Sequence, residues 1–249
     1  MSITERQKSI LWSIIEEHTK AAEPVSSKSL AEKRGFDIGA PMIRKEMCQL
    51  EQEGYLVQPH TSAGRIPTDK AYRLYIQEQM NKTSTAYKTN NQIGLSPKEA
   101  QKIKGSLNKK WADSQSLLKE VSKIASDISK ELSVSGKLGG ENSFMCGFSN
   151  LFDEPELRSF DNMNQIMRFM DNIDSYFDSL WNKILYEDMQ VFIGRENPIK
   201  EINEFTLITG KYQLPEGEQG FVSIIGPKRM NYKRNMALVD YISKVINDK

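Results

Sequence analysis

Residues 58–68 read QPHTSAGRIPT, and the way this stretch is read decides the fold. Two prolines, a glycine, a histidine and an arginine lie between YLVQ, which reads as a short strand, and DKAYRLYIQEQM, which reads as a helix capped by Thr68. Three helical segments come before it. ITERQKSILWSIIEEHTK (3–20) opens with Thr4 and, three places on, Gln7, a capping-box pattern. Ile10, Leu11, Ile14 and Ile15 then recur at helical spacing. In AEPVSSKSLAEKRG, Pro24 ends that helix, Ser26 or Ser27 caps a short second one, and Gly35 stops it. A third helix is expected from about Ala40 to Gly54. It should bury Ile43, Met47 and Leu50 and turn Pro41, Arg44, Lys45 and Cys48 the other way. Arg65 and Ile66 then start a return strand.

Three helices followed by a two-stranded ribbon is the order of a winged helix-turn-helix. That fold seats one helix in the DNA major groove and sets the ribbon loop beside it. On this reading QPHTSAGRIPT is the wing. Its small tip, Thr61 to Gly64, would let the main chain approach a phosphate, Arg65 would supply a fork-shaped charge, and Pro59 and Pro67 would stiffen both ends. The residues expected at DNA are Pro41, Met42, Arg44, Lys45 and Gln49 in the major groove, and His60, Thr61, Ser62 and Arg65 at the wing. Ser27 and Lys28 of the second helix are expected at the backbone.

The chain has 249 residues, 38% apolar and 27% charged, enough for one large core or two modest ones. No apolar run reaches the ~20 residues of a membrane span, and the N-terminus lacks a secretory apolar region, so a cytoplasmic protein is expected. Residues 1–80 carry 11 Lys/Arg against 11 Asp/Glu, residues 81–140 carry 11 against 5, and residues 141–249 carry 12 against 17. A balanced N-terminal region makes no case for nucleic acid by bulk charge; placement has to make it.

Residues 1–80 are read as the winged-helix domain and 81–97, NKTSTAYKTNNQIGLSP, as a linker. Residues 98–249 are read as a second, α+β domain with an antiparallel sheet. It would begin with a long lysine-rich helix over 98–133, whose stripe of Leu107, Trp111, Ser114, Leu118, Val121, Ala125, Ile128 and Leu132 repeats at heptad spacing. That stripe packs either on the protein's own second domain or on another copy. VSGKLGGENS (134–143) reads as a glycine-rich break. FMCGF, QVFIG, FTLITGKY and GFVSIIG read as strands, with amphipathic LRSFDNMNQIMRFMDNIDSYFDSLW and YKRNMALVDYISKVI as helices.

Catalysis needs convergent groups, and the sequence offers no phosphate loop, nucleophile elbow or paired histidines at a metal spacing. No enzyme, cofactor or metal is expected. His18 reads as a packing or solvent residue, Cys146 as a small core residue and Cys48 as a passive exposed thiol.

At QPHTSAGRIPTDKAYRLY the chain closely resembles the heat-inducible transcription repressor family, HrcA. The resemblance runs back through PVSSKSLA and IRKEMCQLEQEGYL, and returns in GFSNLFDEPE, QVFIGRENP and GFVSIIGPKRMNYKRNMALVDYI. It implies a bacterial cytoplasmic repressor that binds an inverted repeat ahead of chaperone operons as a homodimer and loses occupancy on heat stress. It also implies assistance by the chaperonin GroEL, and a winged-helix domain followed by a GAF-like domain. Two departures stand out. Between LSVSG and GGENSFMCGF the chain lacks what resembles the early GAF strands and the family's inserted dimerisation domain, so that mode of dimerisation does not carry over. At the start of the recognition helix, Gly39, Ala40, Pro41 and Met42 replace the family's hydroxyl residues, removing side-chain capping there. The alternative reading is a winged-helix sensor whose GAF-like domain binds a small molecule.

Overall fold

The computed structural model describes residues 3–86, 94–140, 143–177 and 188–249, which divide into two compact units, Met1–Lys82 and Thr83–Lys249. In the first, α1 (Glu5–Ala21), α2 (Ser27–Arg34) and α3 (Ala40–Gln52) precede a ribbon of β1 (Leu56–Val57) and β2 (Ile66–Pro67), and α4 (Asp69–Ala86) follows. Thr4 and Gln7 form the capping box in full, and Ser26, rather than Ser27, caps α2 by accepting from the Ser29 amide. Gly35 ends α2 with a left-handed φ of 58°. Ile10, Leu11, Ile14 and Ile15 of α1, Leu30 of α2 and Ile43, Met47 and Leu50 of α3 are buried together with Tyr72 and Ile76 of α4. Burial on this scale, at about 25 cal/mol per Å² of apolar surface, holds three short helices that would not persist alone.

The His18 Nδ1 lies 2.8 Å from the Tyr72 hydroxyl, joining α1 to α4. The linker expectation needs correcting, since α4 continues to Ala86. Residues 87–93 lie outside the described part, and Leu95 is already buried in the second unit.

The second unit is a five-stranded antiparallel sheet with helices on both faces. Its strands are β3 (Leu132–Lys137), β4 (Ser143–Cys146), β5 (Met189–Ile193), β6 (Phe205–Gln213) and β7 (Gln219–Pro227), in the order β4-β3-β7-β6-β5. One face is covered by α6 (Ser114–Ser129) and the final helix, α9 (Tyr232–Asn247); α5 (Pro97–Lys110) packs on both of these. On the other, α7 (Phe148–Phe152), a 3-10 turn at Pro155–Arg158 and α8 (Phe160–Asp171) close over Leu132, Val134, Leu207, Phe221 and Ile225. The expected long helix is in fact two, because Asp113 caps α6 by accepting from the Ser116 amide and so breaks the run at Trp111–Asp113. Most of its stripe is buried within this unit: Leu107, Leu118, Val121, Ala125, Ile128 and Leu132 are all buried.

The glycine-rich break expected over 134–143 is shorter at its start: the turn between β3 and β4 begins at Leu138. Residues 132–137 form the interior strand β3, between β4 and β7, in which Gly136 is required because a Cβ would lie 2.7 Å from the Phe221 ring. Periodicity misled here since a fully buried strand shows no alternation. The expected helix over 157–181 is interrupted within its described part: a 3-10 turn, α8, and helical residues 173–177, with 178–187 outside the described part. Cys146 is half-buried in β4, where the Ser122 hydroxyl donates to its sulfur.

Candidate nucleic-acid interface

The outward face of α3 follows from its register. With Ile43, Met47 and Leu50 turned inward, Pro41, Met42, Arg44, Lys45 and Gln49 point to solvent, and Met42 is 43% exposed despite being apolar. The helix opens on Gly39, which gives no side-chain cap, and Pro41 contributes no amide hydrogen. The first turn therefore depends on main-chain geometry, with the Met42 and Ile43 amides donating to the Gly39 carbonyl.

Charge placement on this face differs from the balanced composition of the unit. The acids on α3 are occupied internally: Glu46 pairs with Arg6 at 3.7 Å and Glu51 with Arg65 at 2.9 Å. Lys33 pairs with Glu17, and Lys70 donates to the Glu53 carbonyl while lying over the Tyr55 ring. Arg44 and Lys45 are exposed and enter no ion pair among the described residues; the same holds for Lys28 of α2. This face is thus locally cationic although the unit as a whole is neutral.

The wing is ordered by its own chain. The Gln58 side chain donates to the Thr61 and Ala63 carbonyls at 3.0 and 2.9 Å, and the Ala63 amide donates to the His60 carbonyl. His60, Thr61 and Ser62 are left exposed at the tip. Glu51 of α3 holds both arms: its Oε1 accepts from the Gln58 amide and its Oε2 from Arg65 Nε. The wing is pinned to α3 through one carboxylate.

Several sequence expectations change here. Arg65 is not a tip residue reaching for phosphate. Its side chain is 11% exposed, paired with Glu51, and donates to the Cys48 sulfur at 3.1 Å; its backbone exchanges two 2.9 Å hydrogen bonds with Val25. Cys48, expected as an exposed thiol, is half-buried beside this guanidinium. Gly64 serves the same junction, since a Cβ there would sit 2.4 Å from the Val25 carbonyl oxygen. Ser27 is buried, so of the α2 pair only Lys28 is presented to solvent. Gln49 is exposed, but its Oε1 accepts from Gln7 Nε2 at 3.0 Å, so α1 orients it.

Sequence reasoning missed Glu51 and Gln58. The available signal was a carboxylate one turn beyond Cys48, on a helix face otherwise assigned to an anionic partner.

The second unit has a cluster of another kind. Arg229, just after β7, makes a two-point contact with Glu156 at 2.9 and 3.2 Å and also pairs with Glu154. Glu131 lies beside them, and one of its oxygens is buried without a hydrogen-bond partner. Burial, with the negative Glu154 nearby, pushes its carboxyl well above the usual carboxylate range. Two open polar clefts of about 530 and 550 Å³ lie elsewhere on this unit, lined respectively by Asp113, Lys137 and Glu218 and by Asn162, Arg195 and Lys200. Among the described residues no helix is long and apolar enough to cross a membrane, and no acid, histidine or cysteine group is arranged to hold a metal.

Comparison with known proteins adds three findings. A family model for the HrcA protein C terminal domain matches residues 48–236, and one for the Ribonuclease R winged-helix domain matches residues 9–74. The chain is 27% identical to the heat-inducible transcription repressor HrcA of Natranaerobius thermophilus, over 98% of this chain and 96% of that one. It is also 27% identical to the HrcA of Alkaliphilus metalliredigens, over 100% and 98%. The first of these alignments spans 334 positions against 249 residues here, so it opens internal gaps in this chain. A crystal structure described as a hypothetical protein at 2.2 A resolution superposes with a TM-score of 0.79 at 19% identity, covering 99% of this chain and 98% of the other, which supports the fold.

Proposed function

Because the chain belongs to the HrcA family of heat-inducible transcription repressors, we propose that it represses heat-shock genes by binding an inverted-repeat operator as a dimer. The observation that carries this reading is the exposed face of α3, where Arg44 and Lys45 stand unpaired beside a wing whose tip is rigid. Arginine and lysine reach guanine O6 and N7, Gln49 has the shape to read adenine, and Met42 and Pro41 suit a thymine methyl. Lys28, His60, Thr61 and Ser62 then fix register on phosphate. A wing braced before binding loses little freedom on docking, which favours affinity.

Control follows from occupancy. Two copies present their recognition helices about one helical turn apart, ~34–36 Å, and bound protein competes with transcription. Heat lowers the folded, dimeric fraction in the cytoplasm, and the chaperonin GroEL restores it. A buried ionised or unpaired group such as Glu131 subtracts from stability in the second unit and keeps that unit near its threshold.

The test is selection. A pool of duplexes with a randomised core is passed over the full chain and the retained duplexes are sequenced. An enriched inverted repeat, with half-sites about 10–10.5 bp apart or at a multiple of that, is the expected result. Retention without any repeat counts against the dimeric operator reading, and no retention at low salt against DNA binding altogether.

A further inference from the structure

We propose that the outer face of α5 is a second contact for duplex DNA, one that grips phosphates without reading bases. It rests on the repressor reading, which already brings a duplex to the winged unit. Ala100, Ile103 and Leu107 are buried and fix the inner side of α5. At about 100° per residue, Lys98, Lys102, Gly105 and Lys109 fall within roughly 60° of one another on the opposite side. All four are exposed.

The stripe keeps its charge. The one acid of α5, Glu99, is occupied by Ser96 and by Arg234 of α9. Lys98 and Lys109 enter no ion pair among the described residues. Lys102 has a 3.5 Å contact with Asp127, in which the two side chains are 55% and 50% exposed. An ion pair so open to water is weak and easily exchanged.

Two residues of the stripe have no local reason to be there. Lys98 stands in the first turn of α5, where the helix dipole disfavours a cation. Gly105 stands in the helix interior, where glycine weakens a helix relative to alanine. A Cβ at Gly105 would meet nothing within 4 Å, so packing does not require the glycine. Both exceptions fall on one face, and departures from local preference concentrate at functional surfaces. With no side chain at Gly105, a rod lying along α5 can approach its backbone between Lys102 and Lys109. From Lys98 to Lys109 the helix axis runs about 16 Å, over which one strand of a duplex presents roughly five phosphates.

The composition of the stripe selects the partner. Protein interfaces are depleted in lysine and anchored by aromatic residues, and a helix lying on a membrane needs apolar residues beside its cations. Here the flanking exposed residues are Gln101 and Asn108. Lysine and amide side chains around a glycine suit a uniform polyanion. Lysine is a point charge without the guanidinium fork, so it holds phosphate and carries no base preference. Because the two units are one chain, a duplex held by α3 stays at high effective concentration for α5.

The salt dependence of full-chain binding to duplexes of about 30 bp, one enriched by selection and one of mixed sequence, tests this. Lys98→Gln with Lys102→Gln and Lys109→Gln should lower the slope of log K against log salt by about 2–3. Binding at about 0.1 M salt should weaken about 30-fold or more, alike on both duplexes. A charge-matched control on exposed residues elsewhere in the unit, Arg195→Gln with Lys200→Gln and Lys249→Gln, should leave the slope unchanged. Gly105→Leu should raise the melting temperature yet weaken binding about 3-fold or more, a pair of signs that damage to the fold does not produce.

A triple-lysine variant with the natural slope, a control that loses as much slope, or a Gly105→Leu chain that binds like the natural one would each overturn the α5 contact. In all three cases the natural chain still binds duplex, so the repressor reading stands. A natural chain that binds no duplex at low salt would overturn the repressor reading itself, and this contact with it.

Discussion

Arg65 and Arg229 occupy similar positions in their two units. Each follows a glycine closely, Gly64 and Gly226, and each lies in a segment that carries the resemblance to the repressor family. Neither is a free cation. Arg65 ties the wing to Glu51 of the recognition helix, and Arg229 ties the end of β7 to Glu154 and Glu156 beyond α7. The difference lies in what surrounds them. In the unit that holds Arg65, the cations Arg44, Lys45 and Lys28 are exposed and enter no ion pair among the described residues. Around Arg229 polar side chains are turned inward, to the point that Glu131 is buried with an oxygen unsatisfied. An arginine in a glycine- and proline-rich loop is therefore a clamp wherever a carboxylate lies in reach, and the binding charge must be sought on neighbours that have none.

The comparison breaks most readily at Arg229. Arg229→Ala strands three acids in a half-buried site and should destabilise the second unit by about 3–5 kcal/mol, as thermal or urea unfolding would record. On the reading face, Arg44→Ala should cost about 1–3 kcal/mol of operator affinity and relax base preference, with the unfolding curve unchanged. Arg65→Ala should show the opposite pattern, removing about 1–3 kcal/mol of winged-unit stability through the lost Glu51 contact. Its salt dependence of DNA binding should keep the same slope; a slope lower by about one would return Arg65 to the phosphate. Lys28→Ala should weaken binding alike on all sequences and reduce that slope by about one.

The smallest expected effect concerns pH. Glu131 binds its proton more tightly folded than unfolded, because burial disfavours the charged form. As pH rises past the ordinary carboxylate value, the unfolded chain releases that proton first, so stability falls across the window up to the folded value. Glu131→Gln should flatten that fall and raise the melting temperature at neutral pH by about 2–4 °C, the shift ~1 kcal/mol produces in a domain of this size. A pH profile unchanged by the substitution would show that Glu131 is not the group responsible.

How far the sequence could be read differs between the units in the same way. In the winged unit, short helices with caps and one buried stripe each made the pattern local. Thr4 with Gln7, Ser26, Gly35 and the Ile43, Met47 and Leu50 face were all legible, as was the outward set Pro41, Met42, Arg44, Lys45 and Gln49. In the second unit most of the interior strand β3 was mistaken for a break, because LSVSGK is buried on both faces and alternates nothing. The split between α5 and α6 was hidden because the apolar stripe continues in phase across Asp113.

The sequence by itself determined the order of elements in the winged unit, the outward face of α3 and the wing's existence. Periodicity, caps and turn residues act over a few positions, and a linear pattern records them. Only the tertiary structure decided which charges remain available. Glu51 meets Arg65 fourteen residues away, and Glu156 meets Arg229 seventy-three away, so each pairing exists only once the chain has folded. An ion pair depends on separation in space, falling off with distance and dielectric, and nothing in residue spacing encodes that.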